Sequence, residues 1–144
     1  MAIVTMRIEL NNNCDQLAVA MNALQEFADS AGVSKAVAQA AALVLDELLV
    51  NIISYGYPDP GRDVITLELD IVDDHLQIRI IDGGIAFNPL DQPAPDLDLP
   101  LEQRQPGGLG IHLVKEFMDD YAYEYRDERN IVTLRKKLQP GPDQ

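Results

Sequence analysis

Cysteine occurs once, at Cys14, so the chain cannot close a disulfide on itself. A reducing cytoplasm is the expected compartment, and the lone thiol reads as a small packing residue near a helix start. Basic side chains are scarce, with 11 Lys and Arg against 24 Asp and Glu and a formal net charge of −13. A nucleic-acid surface needs a Lys/Arg footprint, so this balance argues against DNA or RNA and against an anionic membrane. No apolar run reads as long enough to span a bilayer, and the N-terminus lacks the basic-then-apolar pattern of a signal peptide. His75 and His112 are the two histidines, and neither has a second His or Cys at metal-ligand spacing. No Ser/His/Asp or Cys/His constellation stands out. The chain does have 47% hydrophobic residues over 144 positions, enough for the core of one compact domain. That domain is expected over residues 1–138, with a frayed tail at 139–144.

The patterning predicts a strand over Ala2 to Leu10, where Ile3, Val4, Thr5 and Ile8 favour β structure. Asn12 and Asn13 offer an N-cap, Leu17, Met21, Leu24 and Ala28 recur at helical spacing, and Gly32 is a natural stop. Ser34 would cap a second helix with an apolar stripe of Val37, Ala41, Val44, Leu48, Ile52 and Tyr55, ended by Gly56 and Pro58. Asp59-Pro60-Gly61 reads as a turn. Val64 to Val72 and Leu76 to Ile81 alternate as two strands about an Asp73-Asp74 tip. Five of the nine prolines fall between Asn88 and Pro106, which predicts a long irregular loop of the functional kind. A third helix is expected from about Gly108 to Asp120. A last strand pair follows, Tyr121 to Tyr125 and Ile131 to Leu138, around Asp127-Glu128-Arg129-Asn130. The order β-α-α-β-β-loop-α-β-β implies an α+β domain with helices on one face of a mixed sheet.

Three patches carry chemistry. Glu47 and Asn51 lie four apart on the second helix, so both leave the same side, which borders the apolar stripe. A half-buried carboxylate there can act as a base, and an Asn carbonyl suits Mg²⁺. The bland reading is a solvated polar pair. Asp82 ends a strand and can accept a hydrogen bond from an exocyclic amine such as that of adenine, while Gly83 and Gly84 let a ring approach the main chain. Its bland reading is an Asp-Gly turn. Gly107-Gly108-Leu109-Gly110 leads into a helix whose first N–H groups and dipole favour phosphate, although a hinge would use the same glycines. No Gly-Lys-Ser/Thr follows, so it is not a Walker loop. Lys115 and Arg104 are candidate phosphate partners. Together the patches point to a protein that holds ATP.

Leu45-Asp46-Glu47 through Asn51-Ile52-Ile53-Ser54-Tyr55-Gly56-Tyr57 resembles the N-box of the GHKL ATPases. Asp82-Gly83-Gly84-Ile85-Ala86-Phe87-Asn88-Pro89 resembles their adenine box, and Gly107 to Val114 followed by Phe117-Met118-Asp119 resembles their second glycine box. The ending Asn130-Ile131-Val132-Thr133-Leu134-Arg135-Lys136-Lys137 fits the bacterial anti-sigma factor serine/threonine kinases. The resemblance runs from about Ile3 to Leu138. It implies a two-layer sandwich of Bergerat type, a mixed, mostly antiparallel sheet with helices on one face, and an ATP lid over about residues 88–106. It implies Glu47 as general base, Asn51 as Mg²⁺ ligand and Asp82 as partner of the adenine amine. Gly84, Phe87, Gly108, Leu109 and Gly110 would form the rest of the nucleotide site. It further implies ATP and Mg²⁺ as cofactors, phosphotransfer to a STAS-domain antagonist, and binding to that antagonist or a sigma factor; homodimers are common in that subgroup, and the sequence leaves the oligomeric state open. A nucleotide-gated anti-sigma factor or adaptor without phosphotransfer is the alternative. Tyr55 stands where the family often has histidine, and Arg104 is out of register with its γ-phosphate arginine.

Overall fold

The computed structural model describes residues 5–55, 64–90 and 108–138, with backbone alone at Tyr55 and residues 108–111. The expected helix stop at Gly56 and Pro58, the turn at 59–61, nearly all of the loop from 91, Arg104, Gly107 and the tail lie outside the described residues.

Strand β1 (Thr5–Asn11) runs into a short 3-10 turn (Cys14–Gln16) and helix α1 (Leu17–Ala31), then α2 (Lys35–Tyr55). The hairpin β2 (Val64–Val72) and β3 (His75–Asp82) follows, then α3 (Gly108–Phe117), then the hairpin β4 (Asp120–Arg126) and β5 (Arg129–Lys137). The strands form one sheet in the order β1-β2-β3-β5-β4. All four pairings are antiparallel. The mixed sheet expected from the sequence therefore has no parallel pair among the described residues. Two hairpins reverse direction locally, and the two-helix excursion between β1 and β2 returns the chain antiparallel as well.

Local chemistry accounts for the boundaries. Gly32 takes φ 73° after α1, a left-handed stop, and its N–H bonds the Ala28 carbonyl. The Ser34 hydroxyl accepts from the Val37 N–H at 3.3 Å and opens α2. Asn13 makes no side-chain capping bond, and the chain enters the 3-10 turn before α1, so this helix starts later than the asparagines imply. Asp73 and Asp74 (φ 50° and 62°) form one hairpin tip, and Asp127 and Glu128 (φ 54° and 61°) the other. Both are two-residue turns with positive φ, the geometry that matches strand twist. Helix α3 ends at Phe117, short of Asp120, because β5 intervenes. The Lys136 ammonium donates to the Phe117 carbonyl at 2.6 Å, and the Asp119 N–H donates to the Arg135 carbonyl.

Pairing puts Ile8 opposite Leu67, Leu67 opposite Ile80 and Ile80 opposite Val132, so one face of the sheet is a continuous apolar layer. Helix α2 lies on it with Val44, Leu45, Leu48, Leu49 and Ile52 buried, flanked by Leu24 and Phe27 of α1 and Val114 of α3. Each such side chain contributes about 1.5–3 kcal/mol when fully buried. Helix α2 is long and apolar enough to cross a membrane by length and composition, contrary to the reading of the sequence, but more than half of it is buried in this layer. The opposite sheet face carries Arg7, Glu68, Arg79, Thr133 and Arg135 around a groove of about 640 Å³.

Candidate functional site

Asp82 is the last residue of β3 and stays in phase with Leu76, Ile78 and Ile80, so its side chain enters the helix-facing layer and is 2% exposed. A carboxylate among leucines and isoleucines needs donors, because an unpaired buried charge is costly. They come from two directions. The Gly84 N–H folds back onto Oδ1 at 2.9 Å, and Asn130 of β5 donates Nδ2–H to the same oxygen at 3.0 Å. Asn130 also donates to the Ile85 carbonyl at 2.8 Å and accepts from the Phe87 N–H at 3.0 Å and from the Tyr123 hydroxyl. Segment 83–87 is thus pinned to the β4–β5 hairpin. Burial raises the Tyr123 hydroxyl above its ordinary range and the charges of Asp82 and Tyr125 add to this, while its link to the Phe87 backbone works the other way.

On α2, Asn51 is 3% exposed and faces the interior, whereas Glu47, one turn earlier, is half-buried at the rim of that layer. Burial lifts the Glu47 carboxyl above its ordinary value of 4.5, and the neighbouring Asp46 charge adds to the lift. Gly108, Leu109 and Gly110 form the first turn of α3, where unsatisfied N–H groups and the positive dipole end lie. Lys115 is exposed in the last turn of that helix, about 10 Å along the axis from Gly108. Gly84 and Phe87 sit in the pinned segment after β3, and Arg104 lies outside the described residues. Helices α2 and α3 pack against each other.

Sequence reasoning missed Asn130 and Tyr123 as the residues that hold Asp82 and the segment after it. Asn130 is a strand-disfavoured amide in phase with core-facing Val132 and Leu134, and that conflict was the available signal.

A family model described as the histidine kinase-like ATPase domain matches residues 10–136. The chain belongs to this family. Among curated proteins, the serine/threonine-protein kinase BtrW of Bordetella bronchiseptica is 34% identical over 98 residues, spanning 68% of this chain and 69% of that protein. The serine-protein kinase RsbW of Bacillus mycoides is 28% identical over 101 residues, 67% of this chain and 62% of that protein. Among solved structures, the RsbU and RsbW domains of a Mycobacterium tuberculosis protein superpose with a TM-score of 0.67 at 14% identity, over 93% of this chain and 32% of that one. The histidine kinase domain of a blue-light activated kinase from Erythrobacter litoralis gives a TM-score of 0.53 at 15% identity, over 96% of this chain and 70% of that one. At these identities the structures bear on fold, and they place the sheet and helices within the histidine kinase-like ATPase architecture. The GHKL resemblance and the sandwich expected from the sequence are borne out at that level.

Proposed function

We propose that this histidine kinase-like ATPase domain is a Mg·ATP-dependent serine/threonine protein kinase of the anti-sigma type, acting on a hydroxyl of a STAS-domain antagonist in a reducing cytoplasm. The observation that carries the reading is Asp82, a buried carboxylate held as an acceptor at the end of β3, in a chain whose relatives are named as serine kinases. A sigma factor is the second partner class the reading implies.

In this mechanism the adenine amine donates to Asp82, and Gly84 and Phe87 flank the ring. The triphosphate lies at the first turn of α3, where Gly108 and Gly110 bring N–H groups close and Leu109 shapes the turn. Among the described residues no group of three or more His, Cys, Asp or Glu could cage a metal. Mg²⁺ needs no such cage, because it takes few protein oxygens and draws the rest of its shell from phosphates and water. Asn51 would hold it, and when bound it neutralises charge on the phosphates. Glu47 accepts the proton of the partner's hydroxyl while the oxygen bonds to the γ-phosphorus and the bond to the β-phosphate oxygen breaks, releasing ADP. Positioning and electrostatics supply most of the rate. Arg104 and Lys115 remain candidates for the outer phosphates.

Calorimetry with ATP, with and without Mg²⁺, on the unmodified protein and on Asp82→Asn tests the site. Magnesium-enhanced binding that Asp82→Asn abolishes is expected, and no binding at millimolar ATP would overturn the reading. Transfer of labelled γ-phosphate to STAS-domain proteins then separates a kinase from a nucleotide-gated binding module.

A further inference from the structure

Asn130 uses its whole amide. Two N–H bonds go to the Asp82 carboxylate and the Ile85 carbonyl, and the oxygen receives the Phe87 N–H and the Tyr123 hydroxyl. An amide has two donors and two acceptor sites, so this set fixes its orientation and leaves no flipped alternative that satisfies the same partners. The residue is 2% exposed and stands 48 positions from Asp82 in the chain.

We infer that Asn130 is a positioning residue that makes the base site selective for 6-amino purines over 6-oxo purines. This rests on the reading of Asp82 as the acceptor for the base. The argument is one of donor and acceptor polarity. Oδ1 of Asp82 takes two N–H donors, from Asn130 and Gly84, which holds that oxygen in place and favours the carboxylate as an acceptor. An acceptor at that point rewards an amine and faces the carbonyl of a 6-oxo base with like polarity. The same amide ties the Ile85 carbonyl and the Phe87 N–H, so the segment that walls the base cannot shift to present a donor instead. Selectivity thus depends on a residue from a hairpin the base does not need to touch.

The test is the ratio of ITP to ATP dissociation constants, by calorimetry, in the unmodified protein and in Asn130→Ala, with thermal unfolding of each measured alongside. The two nucleotides share their triphosphate and differ at the 6-position. We expect the unmodified protein to prefer ATP, and Asn130→Ala to lose about tenfold of that preference while ITP affinity moves little. Equal weakening of both nucleotides, with the ratio kept, is what a merely structural residue would give and overturns the inference, as does an unmodified protein that binds ATP and ITP alike. Should Asn130→Ala not fold, the side-chain amide signals of Asn130 in the unmodified protein decide. They should shift with saturating ATP, and signals that stay in place while ATP binds overturn it. Failure of the unmodified protein to bind either nucleotide is a different result, and refutes the nucleotide reading itself.

Discussion

Glu47 stands half-buried beside Asp46, and its raised carboxyl has two consequences with opposite directions in pH. For folding, a carboxyl whose folded-state value lies above the ordinary 4.5 favours the folded state while protonated. Its contribution is fully present below 4.5 and is lost as pH rises through the raised value. For chemistry, a base must first lose its proton, so phosphotransfer should fail as pH falls through that same value. A carbon NMR titration of the Glu47 carboxyl should give a midpoint above 4.5, and a midpoint at or below it would remove the basis of both statements. Glu47→Gln should keep ATP affinity within about threefold and lower transfer by about 10²–10⁴-fold, the usual worth of a general base. Asn51→Ala should shrink the gap between ATP binding with and without Mg²⁺. An unchanged gap would show that the metal takes its protein oxygen elsewhere.

Elements were largely legible in the sequence because their signals are local. Gly32, Ser34 and the 2.0-residue alternation of β2 and β3 act within a few positions, and each lies where the pattern puts it. The failures are where a distant segment decides. Helix α3 ends early because Lys136 and Arg135 of β5 take over its last groups, and nothing near Phe117 announces that. Likewise Glu47, Asn51 and Asp82 were readable as motif positions, whereas Asn130 gains its bond to Asp82 from a pairing of β3 with β5 that places the two opposite each other. Two local features can be tested directly. An added methyl at Gly32 meets nothing within 4 Å, so Gly32→Ala isolates the cost of a left-handed backbone, about 1 kcal/mol, read from the urea midpoint. Glu128 holds φ 61° in the β4–β5 turn, so Glu128→Gly should stabilise the protein by about 1 kcal/mol. A loss of stability there would mean that the Glu128 side chain outweighs the relief of its backbone.

At the scale of the whole molecule, charge and burial pull apart. The sandwich is held by one apolar layer between sheet and helices, and that layer is indifferent to salt in the millimolar range. The charge balance is not, since the chain carries 24 acidic residues against 11 basic ones. Between described residues two ion pairs form, Arg79 with Glu68 at 3.7 Å and Arg126 with Glu124 at 3.5 Å. The Arg126–Glu124 pair is well exposed and the Arg79–Glu68 pair is partly so, and two such pairs are worth little against a net charge of −13. Self-repulsion of that size destabilises the compact state, and the Debye length shortens from about 30 Å at 0.01 M to about 10 Å at 0.1 M salt. The melting temperature should therefore rise by several degrees between 10 mM and 300 mM NaCl at pH 7. The same series in Leu67→Ala should start lower, because a buried leucine costs about 2–5 kcal/mol to truncate, and should rise in parallel. A melting temperature that falls with salt would mean that attractive pairs outweigh repulsion, and that the acidic surface holds the fold together rather than strains it.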